Sequence, residues 1–439
     1  MVNLLAFIIL TAYMVIYMNR YCVLMKYPAN SRRKLMLEGP EAFLVLLFAT
    51  GTMAMSSSGG GHGASGGFNL QAIRLLLLEV LLFWSVFKAR LSPQWGIGTV
   101  FYLIFILWLV YSMTYSNAGQ YGWRYILKFL YPLVIMLGAS AIARDEEVFV
   151  TICVWARRVA LITVVLPFIP FVNGLFGGFF WYNAALNIHY ATIVCISLVL
   201  FFYYGKDWKD LAMVVLFIVP CFLQVHRTGL LSIFGALGVW CFYKFKWVSL
   251  PYIIGVAAIG VGIIFYVPSF HEKMFWREGE KGQEITIQDL REGNISQEDV
   301  RNNGREAVWQ MLEEQFYEGH ELRGSGIGSC QKFLYEAGPT VVKQSHGDYV
   351  QIRCDVGIIG MVLYLAILAV ILIHCFIESV RSSNPPYLKA CAMIAAGALA
   401  GNYMGMYSDN VVTYTMCTSG YPFGFYGIML GLKAKLKGQ

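Results

Sequence analysis

One histidine and two arginines are the side chains best placed to do chemistry. His346 closes a long polar stretch, in Ser345-His346-Gly347-Asp348-Tyr349, just before an apolar run resumes. With an ordinary pKa of about 6.5, a histidine can take a proton at physiological pH, although a lone histidine beside an apolar run also serves structure. Arg227 sits between two apolar runs, following Phe222-Leu223-Gln224-Val225. A charge there is costly unless paired or hydrated, and the ordinary alternative to function is a snorkelling side chain. Arg305 precedes Val308, Trp309, Leu312 and Phe316 at helical spacing, so it heads an amphipathic helix where a cation opposes the dipole. That is a poor structural choice for a surface arginine, and guanidinium forks bind phosphate oxygens bidentately. The sequence has no P-loop, no Asp-x-Asp and no His/Cys cluster at metal spacing. Neither ATP-driven nor metal-dependent chemistry is expected, and no cofactor.

The elements that must hold these residues are membrane helices. Of 439 residues, 58% are hydrophobic and 13% charged, against about 25% charged in soluble domains. Apolar runs of helix-spanning length recur throughout, without the alternation of a barrel. The fold class is an all-α polytopic membrane protein with 12–13 spans: 3–19, 41–56, 70–87, 97–115, 124–142, 148–170, 189–204, 211–226, 229–243, 250–267, 352–377, 388–407 and 420–432. Leu4 to Met18 lacks a basic leader and reads as a retained span. The chain divides into an N-terminal bundle (1–267), a loop with short helices (268–350) and C-terminal spans (351–439). Basic residues set the orientation. Arg20, Lys26, Arg32 to Lys34, Lys206/Lys209, Lys244/Lys246, Arg381 and Lys433 to Lys437 fall inside; the Gly/Ser-rich 56–67 segment and the long loop fall outside.

That loop carries 15 acidic and 9 basic residues, a net −6 in a chain of +7. Ser296 with Asp299 resembles a helix start. Helices are expected at 305–317, ending near Gly319, and at 330–336, with a turn at Gly324-Ser-Gly-Ile-Gly328 between them. The ten cysteines form no framework, and Cys330 with Cys354 is the one pair placed where bonding is possible.

The order of motifs carries more than each alone. Arg305-Glu-Ala-Val-Trp309, Gly324-Ser-Gly-Ile-Gly328, Ser345-His346-Gly-Asp-Tyr349 and Asp355-Val-Gly357-Ile-Ile-Gly360 together resemble the O-antigen ligase and O-antigen polymerase superfamily. Arg227-Thr-Gly-Leu-Leu231 looks like that family's arginine at the start of an earlier span, and its distance to Gly238 resembles the polymerases. The resemblance covers Gln224–Gly238 and Asn303–Leu365. It implies a GT-C-like fold and an inverting, metal-free transfer of glycan from an undecaprenyl-diphosphate carrier to a hydroxyl. By matched position, His346 would be the base, and Arg227 and Arg305 would hold the diphosphate. One departure is Gly347, where many members carry asparagine. Asp348 and Tyr349 are acceptor-side candidates, Asp348 equally a helix cap; Asp409 is a third acceptor-side candidate, and Asp355 an orienting or capping residue.

The implied setting is the bacterial inner membrane with a periplasmic active face. The implied partners are the lipid-linked donor, a glycan or lipid A-core acceptor, membrane lipids and a chain-length regulator, with no nucleic acid. Polymerase and ligase share these motifs. The alternative from another class is a transporter or flippase, for which Arg157-Arg158 inside the sixth run is the best support.

Overall fold

The computed structural model describes residues 70–165, 169, 184–275, 305–336 and 343–438, with short pieces at 24–26, 34–36, 40–41, 44–45, 47–48 and 51–52. The expected span 3–19, the 56–67 segment and the Ser296–Asp299 start signal lie outside the described residues, as does most of 41–56. In the first basic connection, β1 (Leu24–Lys26) pairs antiparallel with β2 (Lys34–Met36), Leu24 opposite Met36. This hairpin was not among the expected elements.

The rest is helical, as runs of lipid-soluble sequence require when backbone groups have no water to bind. The order is α1 (Leu70–Lys88), α2 (Ile97–Ser112), α3 (Gln120–Ile142), α4 (Glu146–Val165), α5 (Ala184–Tyr203), α6 (Trp208–Leu223), α7 (Arg227–Phe245) and α8 (Leu250–Tyr266). The loop contributes α9 (Pro268–Met274), α10 (Arg305–Phe316) and α11 (Ser329–Glu336). Then come α12 (Asp348–Val380), α13 (Pro386–Gly405), the short α14 (Thr415–Thr418) and α15 (Gly420–Lys437). Every apolar run expected from residue 70 onward is a helix within a few residues of its expected ends. Five stretches among the described residues are long and apolar enough to cross a membrane: Gln120–Ile142, Glu146–Val165, Ala185–Tyr203, Arg227–Tyr266 and Asp348–Val380. The chain is an all-α polytopic membrane protein.

Between lipid-soluble helices the hydrophobic effect supplies little attraction, so close van der Waals approach must do it. Small residues provide that approach. α13 is buried along most of its length and packs on α5, α7, α12 and α15. A Cβ at Gly401 would lie 2.6 Å from the Ser232 carbonyl oxygen of α7, and one at Gly397 would lie 2.7 Å from Cys195 Sγ of α5. α15 meets α3 the same way, with Gly427 and Gly431 flush against the Met136 and Ser140 carbonyls.

α12 is 33 residues long, about 50 Å if straight, well beyond a hydrocarbon core of about 30 Å. It is broken at Gly357, whose φ of 67° only glycine adopts without strain. The 9 residues before the break belong to the loop's underside and the 23 after it form the span. Arg157 of α4 pairs with Asp210 near the start of α6, so its charge is neutralised within the bundle.

Candidate active site

The break in α12 is where the loop is fastened. A helix loses backbone partners at a kink, and here the glycine turn supplies them. Ser325 N donates to Cys354 O at 3.0 Å and Gly326 N to Asp355 O at 2.8 Å, while Ile358 N donates to Glu321 O at 2.8 Å. The Asp355 carboxylate accepts from Gly328 N and Cys330 N, both at 2.9 Å, and so caps α11. This settles Asp355 as a cap of the loop helix rather than a partner of arginine or histidine. Val308, Leu312, Cys330, Leu334 and Cys354 form a small core beneath α10 and α11; both cysteines there are free thiols. Trp309 donates through Nε1 to Ser345 O at 2.8 Å, and its ring covers Gly347, where a Cβ would lie 2.9 Å from Nε1. Any larger residue at 347 would collide with Trp309, which accounts for the glycine after His346.

With the loop fixed, the polar turn after α13 gathers the remaining groups. Arg305 Nη1 donates to Ser408 O at 2.6 Å, and the Ser408 hydroxyl lies 2.7 Å from Thr228 Oγ1 at the start of α7. Next, Asp409 Oδ2 lies 3.5 Å from His226 Nε2. His226 is also the N-cap of α7, its Nδ1 accepting from Gly229 N at 2.9 Å. Nδ1 is therefore unprotonated and the Nε2 proton faces Asp409. Asn410 in turn accepts the His346 N–H at 3.0 Å and lies 3.0 Å from His346 Nδ1. Three consecutive residues thus tie α7, α10 and the His346 segment together. His346 adopts φ 49°, left-handed for a branchless but bulky side chain, a strain on the order of 1 kcal/mol that the Asn410 bonds offset.

Beside this turn, Arg227 Nη1 lies 3.4 Å from Met274 Sδ, and Lys273 of α9 donates to Gln224 O at 3.0 Å. Lys273 is held below the usual lysine range by burial and by the charges of Arg227 and Arg305, so the three cations share one region. Arg305 is itself lowered by burial, with Asp409 opposing. Burial and Arg305 bring His346 below its ordinary value, Asp409 again opposing. Burial pushes Asp409 upward, but the hydrogen bond from His226, the Asn410 N–H and His346 bring it net below the carboxylate range. At neutral pH the arrangement is a cationic cluster around one ionised carboxylate and a neutral imidazole.

Of the residues singled out in the sequence, Arg227, Arg305, His346 and Asp409 come together. Asp348 is buried, its Oδ2 accepting Val412 N at 2.9 Å. The Tyr349 hydroxyl donates to Tyr403 O at 2.6 Å. Their polar atoms are engaged in the fold rather than offered to the cluster. His226, Lys273, Ser408 and Asn410 were not foreseen. Only the Asp409-Asn410 pair between apolar runs marks the turn in sequence. Among the described residues no group of three His, Cys, Asp or Glu side chains gathers as a metal site requires.

Residues 211–365 match the family model described as O-antigen ligase. The match covers 155 of the 439 residues and supports the O-antigen ligase and polymerase superfamily for that stretch. The match runs from α6 into α12 and takes in Arg227, Lys273, Arg305 and His346. The turn at Ser408–Asn410 lies beyond it. No curated protein matches the chain. The match supports a membrane glycosyltransferase of the O-antigen ligase type, a family whose substrates are lipid-linked glycan and an acceptor.

Proposed function

We propose that this protein transfers a glycan from an undecaprenyl-diphosphate carrier to a hydroxyl, without a metal and with inversion, on the periplasmic side of the inner membrane. The observation that carries this is the gathering of Arg227, Lys273 and Arg305 on the loop side, beside His346 and Asp409. In the reaction the acceptor oxygen bonds to the anomeric carbon. The bond from that carbon to the phosphate oxygen breaks, its electrons passing to the diphosphate. Fixed cations facing that developing charge lower the barrier without a metal. The acceptor proton needs a base. Two groups beside the cations can take it: the His346 imidazole, which the resemblance implies, and the Asp409 carboxylate.

Polymerase and ligase use the same chemistry on different acceptors. Among the described residues nothing packs within 4 Å of where a Gly238 Cβ would stand, so they give the polymerase-like spacing from Arg227 to Gly238 no packing origin. Deleting the gene and inspecting the envelope glycan separates the two. Single capped repeats indicate a polymerase; full-length chains left on the carrier indicate a ligase. Restoring the gene with His346→Ala should leave membrane insertion intact and fail to restore the glycan. Unchanged glycan in the deletion strain, or full restoration by His346→Ala, would overturn the proposal. A transporter has less support, because Arg157 is neutralised by Asp210 rather than offered to a pathway.

A further inference from the structure

The Asn410 side chain touches His346 twice, and the two contacts fix what the imidazole can do. One amide atom meets the His346 backbone N–H at 3.0 Å; the other lies 3.0 Å from the ring Nδ1. Carboxamide oxygen and nitrogen have the same shape, so partners decide which is which. A backbone N–H only donates, so the atom facing it is Oδ1. Nδ2 therefore faces the ring, and an amide NH2 only donates, so Nδ1 is the acceptor. The second N–H of that amide goes to Gln344 Oε1 at 2.8 Å. Turning the amide over would set two donors against each other at the His346 N–H. A neutral His346 must then carry its proton on Nε2, the nitrogen Asn410 does not engage.

We infer that Asn410 is a positioning residue that makes neutral His346 a hydrogen-bond donor at Nε2, suited to an anionic phosphate oxygen, and that Asp409 takes the acceptor proton. The tautomer stands on geometry alone; the division of roles rests on the transfer reading above. The charged groups that act on the ring are Arg305 and Asp409; His226 pairs with Asp409, and Lys273 feels the charges of Arg227 and Arg305. Atoms balance as follows. The acceptor hydroxyl gives its oxygen to the new bond at the anomeric carbon and its proton to the Asp409 carboxylate. The departing diphosphate takes the electron pair, with the His346 Nε2–H and the guanidinium groups at its oxygens.

The first test is histidine-selective 15N NMR of the full-length protein in detergent at neutral pH. The ring of His346 is picked out from the seven histidines by its loss in His346→Gln. The expected spectrum has a bare Nδ1 and a protonated Nε2, and a protonated Nδ1 overturns the tautomer whether or not transfer is observed.

The second test is kinetic. Asn410→Asp puts a carboxylate on Nδ1, which demands a proton there and bares Nε2 in the neutral ring. Transfer should then survive only where the ring is doubly protonated, falling at least tenfold as pH rises through the histidine's raised pKa. A base at Nε2 would instead be improved by the carboxylate. Activity of Asn410→Asp equal to or above the unmodified enzyme on the alkaline side overturns the donor role. His346→Gln, whose amide nitrogen replaces the Nε2 donor, should retain measurable transfer where His346→Ala retains none; equal loss in both also overturns it. Absence of transfer by the unmodified protein would sink the proposed function and leave the NMR result standing.

Discussion

Arg305 crosses 103 positions of sequence to place Nη1 on the Ser408 carbonyl, and its charge adds to burial in lowering the pKa of the His346 imidazole. Removing that guanidinium should therefore raise the His346 pKa. In Arg305→Ala, an NMR titration of His346 is expected to show its midpoint moved to higher pH; an unmoved or lower midpoint would contradict the placement. The same depression has a stability consequence with a definite sign. A histidine whose folded pKa lies below its unfolded value favours the folded state above the unfolded pKa. That contribution is lost as pH falls through the folded value. Mild acid should thus loosen the His346–Asn410 contact, because the protonated ring can no longer accept at Nδ1.

The kinked helix and the glycine turn carry the site at the next scale. Asp355 satisfies two buried N–H groups of the turn and α11, and each N–H left unpaired costs about 1–3 kcal/mol. Asp355→Ala is expected to destabilise the protein by about 3 kcal/mol, read as a lower midpoint in detergent thermal melts, and to release α11 to proteolysis before the spans. Unchanged melting would remove the cap argument. At this scale the helices were readable, because period and length of apolar runs report burial in lipid directly. The amphipathic spacing gave α10, and the tail of Cys330 to Glu336 gave α11. The turn at 406–411 was not readable. Its partners stand 64 positions away at His346 and 180 away at Thr228, and short polar turns carry no periodicity to announce what they bind. Asp355 was readable as important but not as a cap, since the N–H groups it meets belong to a distant segment.

Across the whole molecule, stability rests on small residues that let α13 and α15 lie flush against α5, α7 and α3. Gly427 sits directly on the Met136 carbonyl, backbone that cannot swing aside. Gly427→Leu is expected to separate α15 from α3 and abolish a monodisperse detergent-extracted protein, seen by size-exclusion of a fluorescent fusion. A monodisperse, fully stable variant would show that the two helices need not touch. Because α15 follows directly on the 405–418 segment, this packing also fixes where Ser408–Asn410 can stand.

The family-matched stretch ends at residue 365, yet the groups that position Arg305 and His346, the Ser408 carbonyl and the Asn410 amide, come from 408–410. The reactive apparatus is therefore not a portable cassette. Grafting 211–365 onto a relative's C-terminal helices would transplant the arginines and the histidine but leave their anchor behind. A chimera that works must exchange residues 211–418 as one block.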